Sequence, residues 1–453
     1  METAQKQPAA RLFSDRALVR MLIPLLIEQF LTNVVGLVDT MMISGLGEAA
    51  VSGVSLIDSV NVLILLLFNA LGAGGAIVAG QYLGQRDEGR ARHAGNQLML
   101  FMALSGAAVT ALLYLGQNLI LHHLFGSIAA DVEASARVYL TIVWLSVPAM
   151  AVFGGGAALL RAMGDTRSSL ICSLTMNLVN VTGNALLIYG LRWGVAGAAI
   201  PTALGRFVAA GMAAAKLLDR RKPIRLERAD LCRIDPKTIS RVLRLGIPSG
   251  LENGMFQLGK LIMVSVVAGF GTASMAANAV CNGLGTFQIL PGIAGGLAMT
   301  TVVAQCVGAG DFEQARYYTR RLTALGYLLL AVLNLAIIAG LDWILGLYHL
   351  SPEGFAMARH AMLVHGVASM LLWPLAFMIP NTLRAAGDVK FVMVVAVVSM
   401  WVLRVGGGYI IAKVLGFGMI GVWHAMNIDW CLRIACFIPR YKGTRWYAFR
   451  LEG

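Results

Sequence analysis

Glu28 and Asp39 lie well inside the first long apolar run of the sequence, residues 22–53, which carries a third acid, Glu48, near its end. Glu28 and Asp39 are eleven residues apart, so a helix places both on one face, about 16 Å apart along its axis. A charge near the bilayer centre costs roughly 2.5–3.5 kcal/mol, and such an acid therefore faces protein or trapped water. Carboxylates in that position are candidates for binding a proton or a substrate. The pattern predicts that one face of this helix borders a polar interior.

A second apolar run, residues 240–268, carries Glu252 and Lys260. The eight-residue spacing separates them by about 12 Å along a helix and roughly 80° around it, so they should not pair within it. Each is expected to reach another helix or a cavity. Two interpretations of these charges are left open. They could form a static buried network, or they could bind substrate or protons, because either arrangement gives a buried charge the partners that it needs. Asp58, Arg206 and Arg404 also fall within predicted spans.

The composition indicates which elements must position these side chains. The 453 residues are 58% hydrophobic and 13% charged, with a mean hydropathy of +0.73, which excludes an ordinary soluble domain. Runs of about 20 apolar residues predict transmembrane helices. Twelve are predicted, at 17–44, 51–80, 94–116, 138–160, 168–190, 194–218, 240–268, 274–306, 318–345, 356–383, 390–412 and 417–439.

The two halves of the chain repeat each other. A shift of 224 residues superposes Pro24 on Pro248 and Glu28 on Glu252, and the register continues from Gln81 to Arg92 against residues 305–316. Such self-similarity indicates a duplicated architecture. We therefore predict an all-α polytopic membrane protein with two pseudo-symmetric six-helix lobes around a central cavity. The predicted boundaries are 1–218 for the N-terminal lobe, 219–239 for a cytoplasmic linker and 240–453 for the C-terminal lobe.

The basic residues predict the orientation. Of the 36 Lys and Arg residues, four lie in loops on one side, three lie within spans, and the others lie on the side of both termini. Lys and Arg concentrate in cytoplasmic loops, so both termini are expected in the cytoplasm, with the helices in the cell membrane. The same distribution explains the net charge of +13 without a nucleic-acid partner. No constellation of residues suggests an enzyme or a bound cofactor.

Several paired motifs resemble the multidrug and toxic compound extrusion (MATE) family. LVDTMMISGLGEAAVSG (37–53) is similar to the family's first helix and loop. The paired loops AGQYLGQRDEGRAR (79–92) and VAQCVGAGDFEQAR (303–316), and the paired turns LRAMGDTR (160–167) and LRAAGDVK (383–390), are also similar to family motifs. The resemblance implies two six-helix lobes, alternating access, and export of organic, often cationic compounds in exchange for H⁺ or Na⁺.

The resemblance also implies a cation-coupling site in the N-terminal lobe. Asp39, Asn180, Asn184 and Thr202 align with its residues, and the same four would hold Na⁺ if the coupling ion is Na⁺. The chain departs from the family at Asn184, where relatives carry a second carboxylate. One carboxylate with neutral oxygens could still bind Na⁺, although less charge should weaken it, and Asp39 alone could instead exchange a proton. Phe256 stands where some relatives carry the acid of the seventh helix.

These observations predict a cation-coupled antiporter in which an amphipathic substrate binds between the lobes, with Glu28, Glu252 and Lys260 as its candidate contacts. The expected partners are a small organic molecule, the coupling cation and the lipid bilayer, and the protein is expected to be a monomer. One alternative is a lipid-linked precursor flippase of the same superfamily, which should line its cavity with several cationic residues. The other is a receptor or channel that catalyses no exchange.

Overall fold

The computed structural model describes residues 11–451 except 125, 127, 228, 229, 231 and 232, and the described residues contain helices and no strand. The N-terminal lobe contains α1 (Asp15–Ser44), α2 (Glu48–Gly84), α3 (Glu88–Leu115), α4 (Ala130–Ala162), α5 (Thr166–Gly190) and α6 (Val195–Leu217). The C-terminal lobe contains α7 (Pro236–Ala268), α8 (Thr272–Gly308), α9 (Phe312–Ala339), α10, α11 (Val389–Val414) and α12 (Gly418–Lys442). Helix α10 is broken into Pro352–Leu371 and Pro374–Ala386, which meet at 59°. The predicted all-helical architecture is confirmed.

Two of the twelve helices are more polar than the rest. Within the described residues, nine helices are long and apolar enough to cross a membrane, and the bent α10 pair makes a tenth. Helices α7 and α12 do not reach the same hydropathy. They carry Glu252 and Lys260, and Asp429 and Arg433, respectively. Their polar faces must therefore point into the protein, since lipid would leave these charges without partners.

The repeated motifs act first as helix caps. In the two Q-x-x-G-x-x-D loops, Asp87 accepts a hydrogen bond from the backbone N–H of Arg90, and Asp311 accepts one from Gln314, each at 2.9 Å. These bonds satisfy free N–H groups in the first turns of α3 and α9. Both motifs therefore place a helix start at the same end of the bundle.

The aspartates of the paired R-A-x-G-D turns bind basic side chains at that same end. Lys222 Nζ lies 2.7 Å from Asp165 Oδ2, and Arg440 Nε lies 2.7 Å from Asp388 Oδ2. Burial alone would raise the pKa of Asp165, but the hydrogen bonds from Lys222 and Ser168 outweigh it and hold this pKa below its usual value. Each turn is thus tied to a cation that follows the last helix of its own lobe or lies at that helix's end.

The segment between the lobes packs along α3. Asn96 Nδ2 donates to the Arg225 carbonyl at 2.9 Å, and Gln97 Nε2 donates to the Arg233 carbonyl at 2.7 Å. Helix α7 begins at Pro236, inside the predicted linker 219–239, because Asp235 caps it. Hydrogen bonds, the strongest of them from the Thr238 hydroxyl, lower the pKa of Asp235 to about 2. They outweigh the small increase that the slight burial of this carboxyl causes. Four residues of that predicted linker, and residues 1–10 of the predicted N-terminal lobe, lie outside the described residues.

The lobes meet at one end of the bundle, which we call the terminal face because the first and last described residues lie there. Gly84 of α2 and Gly308 of α8 each pack against the other's helix. A Cβ added at Gly84 would lie 1.9 Å from the Gln305 carbonyl oxygen, and one added at Gly308 would lie 2.0 Å from the Gln81 carbonyl oxygen. Gln81 Nε2 donates to the Ala385 carbonyl at 2.8 Å, and Gln305 Nε2 donates to the Ala162 carbonyl at 2.7 Å. The repeat thus forms a symmetric crossing between the lobes.

The first turns of α1 and α7 strengthen this junction. Leu22 and Leu25 of α1 belong to the hydrophobic core of the C-terminal lobe. Val242 and Leu245 of α7 belong to the core of the N-terminal lobe. The start of each lobe's first helix therefore packs into the hydrophobic core of the other lobe, so the terminal face cannot open without exposing apolar surface.

Substituting Ala at Gly84 or Gly308 should separate the lobes at the terminal face. The new Cβ must move from about 2 Å to a normal contact distance near 3.5 Å, so α2 and α8 must part by roughly 1.5 Å. Spin labels at Glu88 and Glu313, exposed at the starts of α3 and α9, should report a longer mean distance in either variant. Gly211→Ala is the control, because no heavy atom lies within 4 Å of its added Cβ. Unchanged distances in both variants would contradict this role of the crossing.

Candidate functional site

A cavity of about 430 Å³ lies between the lobes. This volume lies within the usual range for drug-sized ligands. The position of Asn69 and Ile77 on α2, 15 and 7 residues before Gly84, puts the cavity roughly 10–22 Å from the glycine crossing. Its walls combine small and aromatic side chains with a few polar groups, among them Ile77, Phe256, Trp373, Phe377, Asn69, Asn253 and Asn381. It is therefore deep in the bundle and amphipathic.

One partly buried ion pair of the cavity wall belongs to the C-terminal lobe. Arg384 donates to Glu252 Oε1 at 2.6 Å and to Asn381 Oδ1 at 3.0 Å. Glu252 comes from α7, whereas Arg384 comes from the R-A-x-G-D turn at the end of α10. The pair therefore links two helices across the wall of the cavity. Both side chains line it.

The repeat places a matching group in the N-terminal lobe. Arg161 NH1 lies 3.7 Å from Glu28 Oε1 and donates to Ser169 Oγ at 3.0 Å. The Ser169 hydroxyl in turn donates to both Glu28 oxygens, at 3.3 and 3.4 Å. Arg161 lines the central cavity, but Glu28, only 7% exposed, lies behind it.

The central cavity therefore contains one of the three predicted substrate contacts. Glu252 lines its wall, while Glu28 holds Arg161 from behind. Lys260 lies instead in a separate cavity of about 40 Å³ inside the C-terminal lobe, next to Arg404. Sequence reasoning missed Arg161 and Arg384, although both stand at the same place in the paired R-A-x-G-D turns.

The four predicted coupling residues form two hydrogen-bonded pairs. Asn184 Nδ2 donates to Asp39 Oδ1, and Asn180 Nδ2 donates to Thr202 Oγ1 at 2.9 Å. Asn180 and Asn184 are one turn apart on α5, so they link α1 on one side with α6 on the other. The buried Oδ1 of Asn184 has no hydrogen-bond partner among the described residues. Carboxylate, amide and hydroxyl oxygens thus gather within one lobe, and these are the ligand types that hard cations take.

A second acid and a base extend this polar group. Asp58 Oδ1 accepts hydrogen bonds from the Tyr139 hydroxyl and from Asn61 Nδ2, each at 3.1 Å. Arg206 donates to the Ser146 hydroxyl at 3.2 Å. Asp58 and Arg206 are two of the charged residues that the sequence places within predicted spans. Tyr139 was missed, because an aromatic residue in an apolar helix carries no signal of its own.

Comparisons with known proteins agree with this architecture. The MatE family profile matches residues 24–186 and 248–410, two segments that are themselves 224 residues apart. The uncharacterized transporter YisQ of Bacillus subtilis (strain 168) is 26% identical, with 98% of this chain and 97% of that protein aligned. The probable multidrug resistance protein NorM of Thermotoga maritima is 23% identical, with 95% of this chain and 93% of that protein aligned.

Solved structures give the same result for the fold. One, described as the outward-facing conformation of a multidrug resistance MATE family transporter of the MOP superfamily, superposes with a TM-score of 0.89 at 20% identity and covers 96% of both chains. Another, described as MATE in the straight conformation, gives 0.88 at 21% identity and the same coverage. The prediction of twelve transmembrane helices in two lobes is confirmed. Since the family profile covers most of both halves, this chain belongs to the MatE family, as its paired motifs predicted.

Proposed function

We propose that this protein is a cation-coupled multidrug exporter that exchanges H⁺ or Na⁺ for an organic compound by alternating access. The observation that carries the proposal is the separation of two polar sites. The Asp39–Asn184 pair lies within the N-terminal lobe, whereas the Glu252–Arg384 pair lines the cavity between the lobes. An ion and a substrate can then bind at different places and act on one conformational equilibrium.

Coupling requires that each ligand bind the two access states with different affinity. Asp39, on α1, contacts α5 through Asn184, and the start of the same α1 is packed into the C-terminal lobe. A proton or Na⁺ at Asp39 would change the attraction between α1 and α5. The orientation of α1, and with it the packing between the lobes, would then depend on occupancy of the ion site.

The central cavity supports an amphipathic and cationic substrate. Phe256, Trp373 and Phe377 offer flat apolar surface, which also attracts cations through the ring face. Glu252 is the only carboxylate of the described cavity wall, and an organic cation could compete with Arg384 for it. We propose Glu252 as a direct contact and Glu28 as the residue that positions Arg161.

The proposal includes the orientation of the protein in the membrane and its oligomeric state. We propose that the terminal face lies in the cytoplasm of the cell, because the basic loops and the basic segment between the lobes lie on the side of both termini. The division into an N-terminal lobe 1–218, a linker 219–239 and a C-terminal lobe 240–453 stays a prediction, although α7 of the C-terminal lobe already begins at Pro236, and the protein is proposed to act as a monomer.

One observation favours a second candidate, a flippase for a lipid-linked precursor. Three guanidinium groups line the central cavity, from Arg161, Arg384 and Arg433, and such groups suit a pyrophosphate. Each, however, already lies within 4 Å of a carboxylate, of Glu28, Glu252 and Asp429 respectively. This pairing reduces the positive potential of the wall, so we prefer the organic cation. A receptor or channel without exchange is the remaining alternative.

Asp39→Asn should abolish ion-driven export. Substrate transport by purified protein in proteoliposomes is measured with pH and Na⁺ gradients imposed separately. The gradient that drives transport identifies the coupling ion, and transport driven by either gradient excludes a receptor or channel without exchange. In the variant, gradient-driven transport should fall at least tenfold, because the neutral amide cannot bind and release the ion. Asp342→Asn removes a carboxylate from an exposed ion pair with Arg359 and should transport normally. Transport at the wild-type rate in Asp39→Asn would refute the assignment.

Asn184→Asp should create a stronger Na⁺ site. A second carboxylate beside Asp39 adds the negative charge that the hydrogen-bonded amide lacks. Ligand binding to the folded state raises Tm, so the variant should gain more Tm than the wild type when Na⁺ replaces choline. The double variant Asp39→Asn with Asn184→Asp has one carboxylate again and should return to the wild-type response. Equal Na⁺ responses in all three proteins would exclude the pair from cation binding.

Glu252→Gln should weaken binding of the organic cation tetraphenylphosphonium about tenfold, a loss of about 1.4 kcal/mol. The amide keeps the shape but leaves the charge of Arg384 uncompensated in the cavity wall. Glu28→Gln should have a smaller effect, since it acts through Arg161. The exposed Glu313→Gln serves as the control. If neither Glu252→Gln nor Glu28→Gln lowers the affinity, the substrate assignment fails, and tighter binding of pyrophosphate by Glu252→Gln would favour the flippase.

A further inference from the structure

A small cavity inside the C-terminal lobe takes no part in the proposed transport cycle. It lies between α7, α8, α11 and α12, and Lys260, Arg404, Asn278, Asn282 and Trp423 are among its lining residues. Its volume of about 40 Å³ exceeds the roughly 10–15 Å³ that one water requires. It is far below the roughly 300 Å³ at which drug-sized sites begin. The cavity can therefore hold a small ion and not the exported compound.

The two cations of this cavity lack an anionic partner. No carboxylate of the described chain lies within 4.0 Å of Lys260 Nζ or of the Arg404 guanidinium. Arg404 donates to the Met426 sulfur at 2.9 Å and lies over the Phe256 ring, 5.2 Å from its centroid. Asp429, the acid of the adjoining helix, is bound to Arg433 at 3.0 Å. Asp429 also attracts Arg404 from beyond that distance, but it is shared with Arg433, and the charged neighbour of Lys260 is Arg404, another cation. The positive charge of this cavity is therefore only partly compensated, which is unfavourable within a membrane-spanning lobe.

Neutral donors complete the surroundings. Asn278 Oδ1 accepts the indole N–H of Trp423 at 3.2 Å, which leaves the amide N–H groups of Asn278 free of any acceptor in the described structure. Asn282 Nδ2 donates to the backbone carbonyl of Asn278 at 2.9 Å, and one of its two N–H groups is left over. An ammonium, a guanidinium and amide N–H groups around one small cavity are all donors to an anion.

The repeat shows that this cavity occupies the place of the coupling group in the other lobe. At the offset of 224, Asp39 corresponds to Met263 and Asp58 to Asn282, and both counterparts line the small cavity. Lys260 itself corresponds to Gly36. At the offset of 223 found for the R-A-x-G-D turns, Arg206 corresponds to Asp429. The two lobes thus have related interiors in which the sign of the charge is reversed.

We propose that this cavity of the C-terminal lobe binds one small inorganic monovalent anion of halide size, held between Lys260 and Arg404. The anion supplies the missing negative charge and accepts hydrogen bonds from the asparagine amides. The site does not depend on the proposed coupling ion or exported compound. It assigns Lys260 to a resident inorganic anion and not to the organic substrate.

Thermal unfolding of the purified protein tests the site without any transport. Tm should be higher in sodium chloride or bromide than in sodium gluconate of equal concentration, since gluconate is too large for the cavity. Lys260→Gln should lose this halide effect or need at least tenfold more halide to reach it. Lys413→Gln removes an exposed cation from the same lobe and should keep the full effect. Equal Tm values in halide and gluconate, or a full effect in Lys260→Gln, would overturn the proposal.

Bromide diffraction provides a second measurement that needs no variant. Crystals of the wild-type protein grown in sodium bromide should give an anomalous peak between Lys260 and Arg404. A peak there supports the site even if Lys260→Gln fails to fold. An ordered crystal with no anomalous density in this cavity refutes the proposal, whatever transport assays show about Asp39.

Discussion

The cost of exposing a charge to lipid organises the whole molecule. Carboxylates and guanidiniums in apolar helices must find partners or water inside the protein, and each buried pair constrains the helices that carry it. The Glu28–Arg161 and Glu252–Arg384 pairs meet this requirement, one in each lobe. Helices α7 and α12 are the clearest consequence. Their hydropathy is too low for independent spans, and they are tolerated because their charges turn toward cavities and neighbouring helices.

Duplication explains how the chain could satisfy these constraints and still assign different roles to its halves. Structural pairs of the terminal face are kept in both copies, such as the glycines of the crossing and the glutamines that reach the opposite lobe. The interiors have diverged, because the contacts of the crossing are made by glycines, glutamine amides and backbone carbonyls and include no charged side chain from within either lobe. Asp39 and Asp58 give the N-terminal interior an acidic character, whereas Lys260 and Arg404 make the C-terminal one basic.

The sequence predicted the architecture well because the physical signals for it are strong and local. Runs of about 20 apolar residues predict the helices, and the internal repeat of the sequence predicts the two lobes. The site was harder to predict, since its partners are distant in the chain. Glu28 lies 141 residues from Ser169, and Glu252 lies 132 residues from Arg384. The eight-residue spacing correctly predicts that Glu252 and Lys260 do not pair within α7. Only the packing of α7 shows that the two side chains line different cavities.

The proposed transport cycle requires the terminal face to open, and the contacts found there oppose that opening. To open there, the two glutamine bonds between the lobes and the close glycine contacts must break together, because they belong to one helix crossing. The end of the chain adds to this barrier. Leu451 N–H donates to Gln81 Oε1 at 2.9 Å, its carbonyl accepts from Gln85 at 3.0 Å, and Arg450 donates to the Gly308 carbonyl at 2.8 Å. A buried amide that loses its partner costs about 1–3 kcal/mol until water replaces it. Opening must therefore hydrate the crossing as the lobes part, and any ligand that drives it must supply a comparable difference in binding free energy between the two states.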